Sequence, residues 1–177
     1  MMKTGDRVKP RTLATIDGSR VTIPAADGLV HLQFRRFAGC PICSLHMHEV
    51  AHRVSDIADA GVTEVVVFHS AADALRRYQA DLPFAVVADP ERALYDEFGV
   101  GNSVRGVLNR NVARAVGRGM LQIRSARQAA GSLGLTENHL SMPADFLIAA
   151  DGALVAHKYG AHADDQWSVD ELLALAS

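Results

Sequence analysis

The residues best suited to chemistry lie within four positions of one another. Cys40-Pro41-Ile42-Cys43 contains the only two cysteines in a chain of 177 residues. Two thiols at this spacing can close a small disulfide ring. They follow a β-like run, Val30-His31-Leu32-Gln33-Phe34, and open a stretch that reads as helix from Ser44 to about Ala60. A helix start offers unpaired N–H groups and the positive end of the helix dipole, and both favour a thiolate. Pro41 suits the first turn, because its missing N–H would be unpaired there in any case. The spacing predicts dithiol–disulfide chemistry. Cys40, nearest the N-cap, is the expected attacking thiolate, and Cys43, one turn on, is the expected resolving thiol.

Two other uses of the cysteines compete with this one. A zinc site needs four ligands, usually with more sulfur or a finger-type His spacing. Here there is no second C-x-x-C, and only His46, His48 and His52 lie nearby. His46 is expected to face solvent, although from the next turn it could lower the Cys43 pKa; His48 and His52 are read as surface residues. Buried, inert cysteines are the other alternative, since a free thiol packs as a small hydrophobe. No metal or cofactor is expected.

The elements that must position the pair alternate between strand and helix. Thr12–Pro24 reads as a hairpin around Asp17-Gly18. Val65-Val66-Val67-Phe68 reads as a buried central strand. A helix over Ala71–Ala80, a short strand Phe84–Val87 and a helix over Pro90–Phe98 stopped by Gly99 follow. Phe146-Leu147-Ile148 and Leu154-Val155-Ala156 read as a hairpin about Asp151-Gly152. Ser168–Leu175 is a closing helix capped by Ser168 with Glu171. There is no repeat, low-complexity tract or linker, so residues 1–177 are assigned to a single α/β domain.

Composition agrees: 49% hydrophobic and 21% charged residues describe an ordinary globule with room for a core. No run has the length of a membrane span, and a net charge of −2 gives no general attraction to nucleic acid. The first residues, Met1 to Arg7, lack a hydrophobic signal region, so a cytoplasmic location is expected. In that compartment a close cysteine pair is catalytic or redox-sensing rather than a structural staple. Charge is unevenly spread. Arg105, Arg110, Arg114, Arg118, Arg124 and Arg127 fall in a stretch without acidic residues. Arg110, Arg114 and Arg118 would form one stripe on a helix, read as a solvated or partner-facing surface.

The order strand, C-x-x-C, helix, strand, helix, then Pro143, hairpin and terminal helix resembles the thioredoxin fold. Within it, the chain is similar to the peroxiredoxin-like, AhpC/TSA-type proteins. The similarity is carried by Leu82-Pro83-Phe84-Ala85-Val86-Val87-Ala88-Asp89-Pro90 with Glu91–Val100, and by Phe146-Leu147-Ile148-Ala149-Ala150-Asp151-Gly152, over about residues 12–176. The resemblance implies a thioredoxin-like α/β fold, with a central mixed sheet flanked by helices, a peroxiredoxin-type N-terminal hairpin and insertions. It also implies a thiol-dependent antioxidant oxidoreductase that reduces peroxides or protein disulfides. The alternative is a redox sensor or non-catalytic binding module on the same fold. The implied partners are a peroxide or disulfide substrate and a thiol reductant, such as a thioredoxin or a low-molecular-weight thiol. Neither nucleic acid nor membrane is among them, and homodimerisation is left open.

The chain departs from the family pattern at its centre. Where peroxiredoxins place P-x-x-x-[TS]-x-x-C, Cys40 occupies the threonine position and Cys43 that of the peroxidatic cysteine. By this alignment Cys43 is oxidised first and Cys40 condenses with it, the reverse of the order that helix electrostatics favours. Both orders end in the same disulfide. No arginine stands just before Phe146, where the family carries one. Either Arg124 or Arg127 folds back from a loop to supply the charge, or peroxide turnover is slow and disulfide exchange is the better activity; a modest peroxidase is expected. Pro143 resembles the cis-proline that thioredoxins set against their cysteines, and a cis bond with a loop touching Cys40 or Cys43 is expected of it.

Overall fold

The computed structural model describes residues 1–104 and 138–177. In chain order its strands are β1 (Arg11–Ala14), β2 (Arg20–Ile23), β3 (Leu29–Arg35), β4 (Val62–Phe68), β5 (Ala85–Ala88), β6 (Ala144–Ala149) and β7 (Leu154–Tyr159). The described helices are α1 (Pro41–His52), α2 (Val54–Asp59), α3 (Ala72–Tyr78), α4 (Ala93–Phe98) and α5 (Val169–Ala176). The central sheet runs β5-β4-β3-β6-β7. Strands β3, β4 and β5 are parallel, β6 is antiparallel to β3, and β7 is antiparallel to β6. This is the thioredoxin-like mixed sheet with helices about it.

Alternation along the strands sorts side chains onto two faces. Val30, Leu32, Phe34, Val65, Val67, Phe146 and Ile148 pack with Tyr95 and Phe98 on one side. Ile42, Cys43, Met47, Val50 and Ile57 of α1 and α2 cover the other, against Val66, Phe68 and Leu147. The N-terminal hairpin turns at Gly18, whose φ of 90° suits a residue without a Cβ. It docks on the sheet through Ile16 N–H to the Val86 carbonyl at 2.9 Å. At the base of β3 and β4, Gly28 lies so close to Gly61 that a Cβ there would come within 2.3 Å of the Gly61 carbonyl oxygen.

Two helices differ from their expected bounds for local reasons. The helix read as continuous from Ser44 to Ala60 breaks at Arg53, whose φ is −115° and whose N–H bonds the Val50 carbonyl three residues back. The Arg53 side chain is drawn to Asp56 and to Asp170 of α5. The helix expected from Pro90 begins instead at Ala93, because Arg92 is left-handed with φ 61°. Asp89 accepts from the N–H groups of Ala93, Leu94 and Tyr95 at 3.0, 2.8 and 3.2 Å, which satisfies the first turn. The capping box Ser168–Glu171 is present at the start of α5. Among the described residues, no helix is long and apolar enough to cross a membrane.

Pro143 corrects an expectation. The only cis bond among the described residues is Ile23–Pro24, so Met142–Pro143 is trans. Ser141 bridges to Asn102, Met142 N–H bonds the Gly101 carbonyl at 3.1 Å, and the chain runs straight into β6. A trans proline at the head of a strand continues that path, since its missing N–H is not needed there. Its carbonyl accepts from Gly160 at 3.0 Å, and Gly160 is its close neighbour.

Candidate active site

Strand β3 ends at the sheet's C-terminal edge, the side on which open α/β sheets place their ligands. The chain then crosses through Arg36-Phe37-Ala38-Gly39 to Cys40 at the start of α1. This crossing is fastened at three points. Cys40 N–H bonds the Phe37 carbonyl at 3.0 Å. Ala38 N–H bonds the Ser70 hydroxyl at 2.8 Å, and the Ala38 carbonyl accepts from the Gln79 amide at 2.6 Å. The sulfurs therefore sit on a held loop.

Both cysteines are reduced thiols, with Cys40 1% and Cys43 4% exposed. Cys40 is the N-cap residue of α1, with proline next to it as expected. Burial, the largest single influence on Cys40, raises its pKa. The Cys43 thiol bonding to it, the Arg36 charge and the N–H groups of Cys43 and Ile42 together outweigh burial and bring it down to about 7. Cys43 moves the other way, pushed well above its ordinary value by burial and by the Cys40 sulfur. The pair is polarised, and the electrons collect on Cys40.

Arg36, which the sequence reading did not single out, supplies the charge. Its Nη1 donates to Cys40 Sγ at 3.7 Å and its Nη2 to the His139 carbonyl. The guanidinium also lies 5.6 Å from the centre of the Phe37 ring. Arg124, Arg127 and the rest of the arginine stripe lie outside the described residues. Beside Arg36, the ends of β3 and β4 are tied by the Tyr95 hydroxyl, which donates to the Val67 carbonyl at 3.0 Å and also contacts the Arg35 carbonyl. Arg92 lies 4.5 Å over the Tyr95 ring and donates to Ser141 Oγ at 3.1 Å. His69 completes this edge, 93% buried, its ring 5.8 Å from that of Tyr95.

His46 corrects a second expectation: it is buried, not solvent-facing. Its Nε2 accepts from Arg35 at 3.1 Å, and burial holds its pKa well below the ordinary value. His48 and His52 are exposed, as expected. With His46 turned to Arg35, the three histidines do not converge on the thiols. His46 belongs instead to a polar network under α1. His31 Nδ1 meets Glu64 at 2.9 Å and its Nε2 meets Asp145 at 3.2 Å, while Arg35 donates to Asp145 at 2.5 Å.

Residues 49–162 match the profile of the AhpC/TSA antioxidant enzyme family. The chain belongs to the AhpC/TSA antioxidant enzyme family. It is an oxidoreductase of the peroxiredoxin-like kind on a thioredoxin fold. Solved structures share that fold at low identity. Peroxidoxin BcpB of Mycobacterium tuberculosis superposes with a TM-score of 0.70 at 16% identity, covering 99% of this chain and 97% of that one. A cysteine variant of peroxiredoxin 6 from Arenicola marina gives 0.72 at 14%, covering 99% and 72%. A Chlorobium tepidum protein assigned as a thiol:disulfide interchange protein, DsbE, gives 0.62 at 18%, covering all of both chains. No curated protein matches by sequence. The AhpC/TSA match begins beyond Cys43, so the roles of Arg36 and the two thiols in this AhpC/TSA protein rest on local geometry.

That geometry makes Arg36 testable by itself. Arg36→Met raises the pH at which Cys40 is half ionised from about 7 by about one unit, the usual effect of removing an opposite charge at contact distance. Thiolate absorbance in the ultraviolet, followed against pH, checks it. An unchanged titration would remove Arg36 from the account of Cys40.

Proposed function

We propose that this protein reduces hydroperoxides through Cys40, with Cys43 as the resolving thiol. The observation that carries the reading is the Arg36 contact to Cys40 Sγ, on a thiol whose pKa is about 7. The Cys40 thiolate attacks the terminal oxygen of R–O–O–H. A sulfur–oxygen bond forms and the O–O bond breaks; the leaving oxygen takes the bond's electron pair, then a proton from water, and departs as R–OH. Arg36 opposes the negative charge that grows as the bond breaks, the role of a preorganised donor. Cys43 then attacks the Cys40 sulfenic acid, forming the disulfide and releasing water. Two electrons from a thiol reductant, a thioredoxin or a small thiol, restore the pair.

The orientation of the pair supports Cys40, rather than the family-aligned Cys43, as the first sulfur oxidised. Cys43 carries the higher pKa and is a thiol at neutral pH. A second reading, reduction of disulfides in other molecules, draws on the same low-pKa thiolate.

The test is stoichiometric. One equivalent of hydrogen peroxide should remove both titratable thiols and lower the chain's mass by two hydrogens, with the rate rising with pH through about 7. Thiol counting, intact mass and stopped-flow measurement read these quantities. Thiols that persist with peroxide but react rapidly with a protein disulfide would favour the second reading.

A further inference from the structure

Two buried polar atoms at this edge have no hydrogen-bond partner: Arg36 Nε and His69 Nε2. Native interiors leave few such atoms unpaired, because each costs free energy. These two are close in the fold. Parallel pairing sets Arg35 opposite Phe68, so Arg36 and His69 are the next residues beyond the ladder on strands about 4.8 Å apart. Tyr95 binds the strand ends just behind both.

The two atoms have opposite hydrogen-bonding character. Arg36 Nε–H can only donate. The His69 ring lies among the cations Arg92 and Arg36, and burial, the largest influence, with those charges lowers its pKa to about 4, so it is neutral at working pH. The neutral ring carries one proton, and with that proton on Nδ1 the unpartnered Nε2 presents a lone pair.

Resting on the peroxide reading above, we infer that His69 is a substrate-binding residue, whose Nε2 accepts the O–H of the hydroperoxide while Arg36 donates to the oxygen that leaves. A hydroperoxide carries one O–H donor and an adjacent acceptor oxygen, which matches this pair. The hydrogen bond holds the terminal oxygen toward Cys40, and its proton stays on that oxygen in the sulfenic acid. A disulfide has no O–H and gains nothing from His69.

The experiment compares two reagents on wild type, His69→Phe and His69→Gln. One is hydrogen peroxide; the other is 4,4′-dithiodipyridine, a neutral disulfide without O–H or N–H groups. His69→Phe should slow Cys40 oxidation by peroxide about 10-fold, the worth of one hydrogen bond. It should leave the dithiodipyridine rate and the Cys40 titration unchanged, and His69→Gln should recover part of the loss. A peroxide rate equal to wild type, or equal slowing with both reagents, overturns the inference while the peroxide reading stands. Wild type inert to peroxide but reactive with dithiodipyridine overturns that reading, and the inference with it.

Discussion

Cys40→Ser should abolish peroxide turnover, whereas Cys43→Ser should turn over once and stop. The first change removes the thiolate, and a serine hydroxyl at neutral pH is no substitute. The expected loss is on the order of 10⁴-fold in rate, typical when a reacting group is deleted. The second change leaves Arg36 beside Cys40 but removes the sulfur that would condense with the sulfenic acid. The chain should then gain one oxygen in mass and react with a sulfenic-acid trap. Burst amplitude and intact mass read both variants. The opposite pattern, with the oxygen added to the Cys40→Ser chain, would mean that the family alignment rather than the local electrostatics assigns the roles.

Asp145→Asn should be the most destabilising conservative change in the molecule, at about 3–5 kcal/mol, or about 10 °C in Tm for a chain of this size. Asp145 is fully buried and accepts from Arg35, from His31 and from Trp167 N–H. Burial opposes its charge, but Arg35 and His31 hold its pKa far below the ordinary carboxylate value. Removing that charge strands the buried Arg35 cation and leaves His31 paired with Glu64 alone. The same network sets a pH dependence. Burial, the largest influence on His31, lowers its pKa, yet Glu64 and Asp145 raise it to about 9 against an ordinary value of 6.5. A raised pKa means stability fully present below about 6.5 and lost as pH climbs through 9. His46, depressed by burial, costs stability as pH falls below 6.5, and Asp145 costs more in stronger acid. Cys40, lowered from 9.0 to about 7, adds stability between those values and opposes the His31 loss. In a Cys40→Ser background urea unfolding across pH should therefore peak near neutrality, and the decline between about 6.5 and 9 should be absent when His31→Asn is added.

The fold was legible where local rules agree with tertiary demands. The Val65–Phe68 run, the Asp17-Gly18 turn and the Ser168–Glu171 capping box each appear where their residue types predict. The cysteine pair at a helix start was equally plain. Three features were not. His46 looks like a surface residue because the strand facing it, with His31, Gln33 and Arg35 at alternate positions, buries polar side chains where aliphatic ones are the rule. The Pro143 bond is trans beside the Ser141–Asn102 bridge, a contact between distant segments that local sequence does not display. Arg36 is hidden by the family pattern, which places its arginine just before Phe146. Its signal was available as a cation just past a strand end and four residues before the first cysteine.

Helix α1 starts without a side-chain cap, and its first residues carry both sulfurs into the interior. A molecule the size of hydrogen peroxide asks little room of such a site. The thiol of another protein asks far more, since it must approach the Cys40–Cys43 bond along the sulfur–sulfur axis. That first turn is packed into the core and its approach loop is held through Phe37, Ser70 and Gln79, so a partner of that size meets the sulfurs only when the turn gives way. On the proposed peroxide chemistry, the two halves of a turnover would then run on separate clocks, and the slower one would be wound by the stability of a single turn of helix.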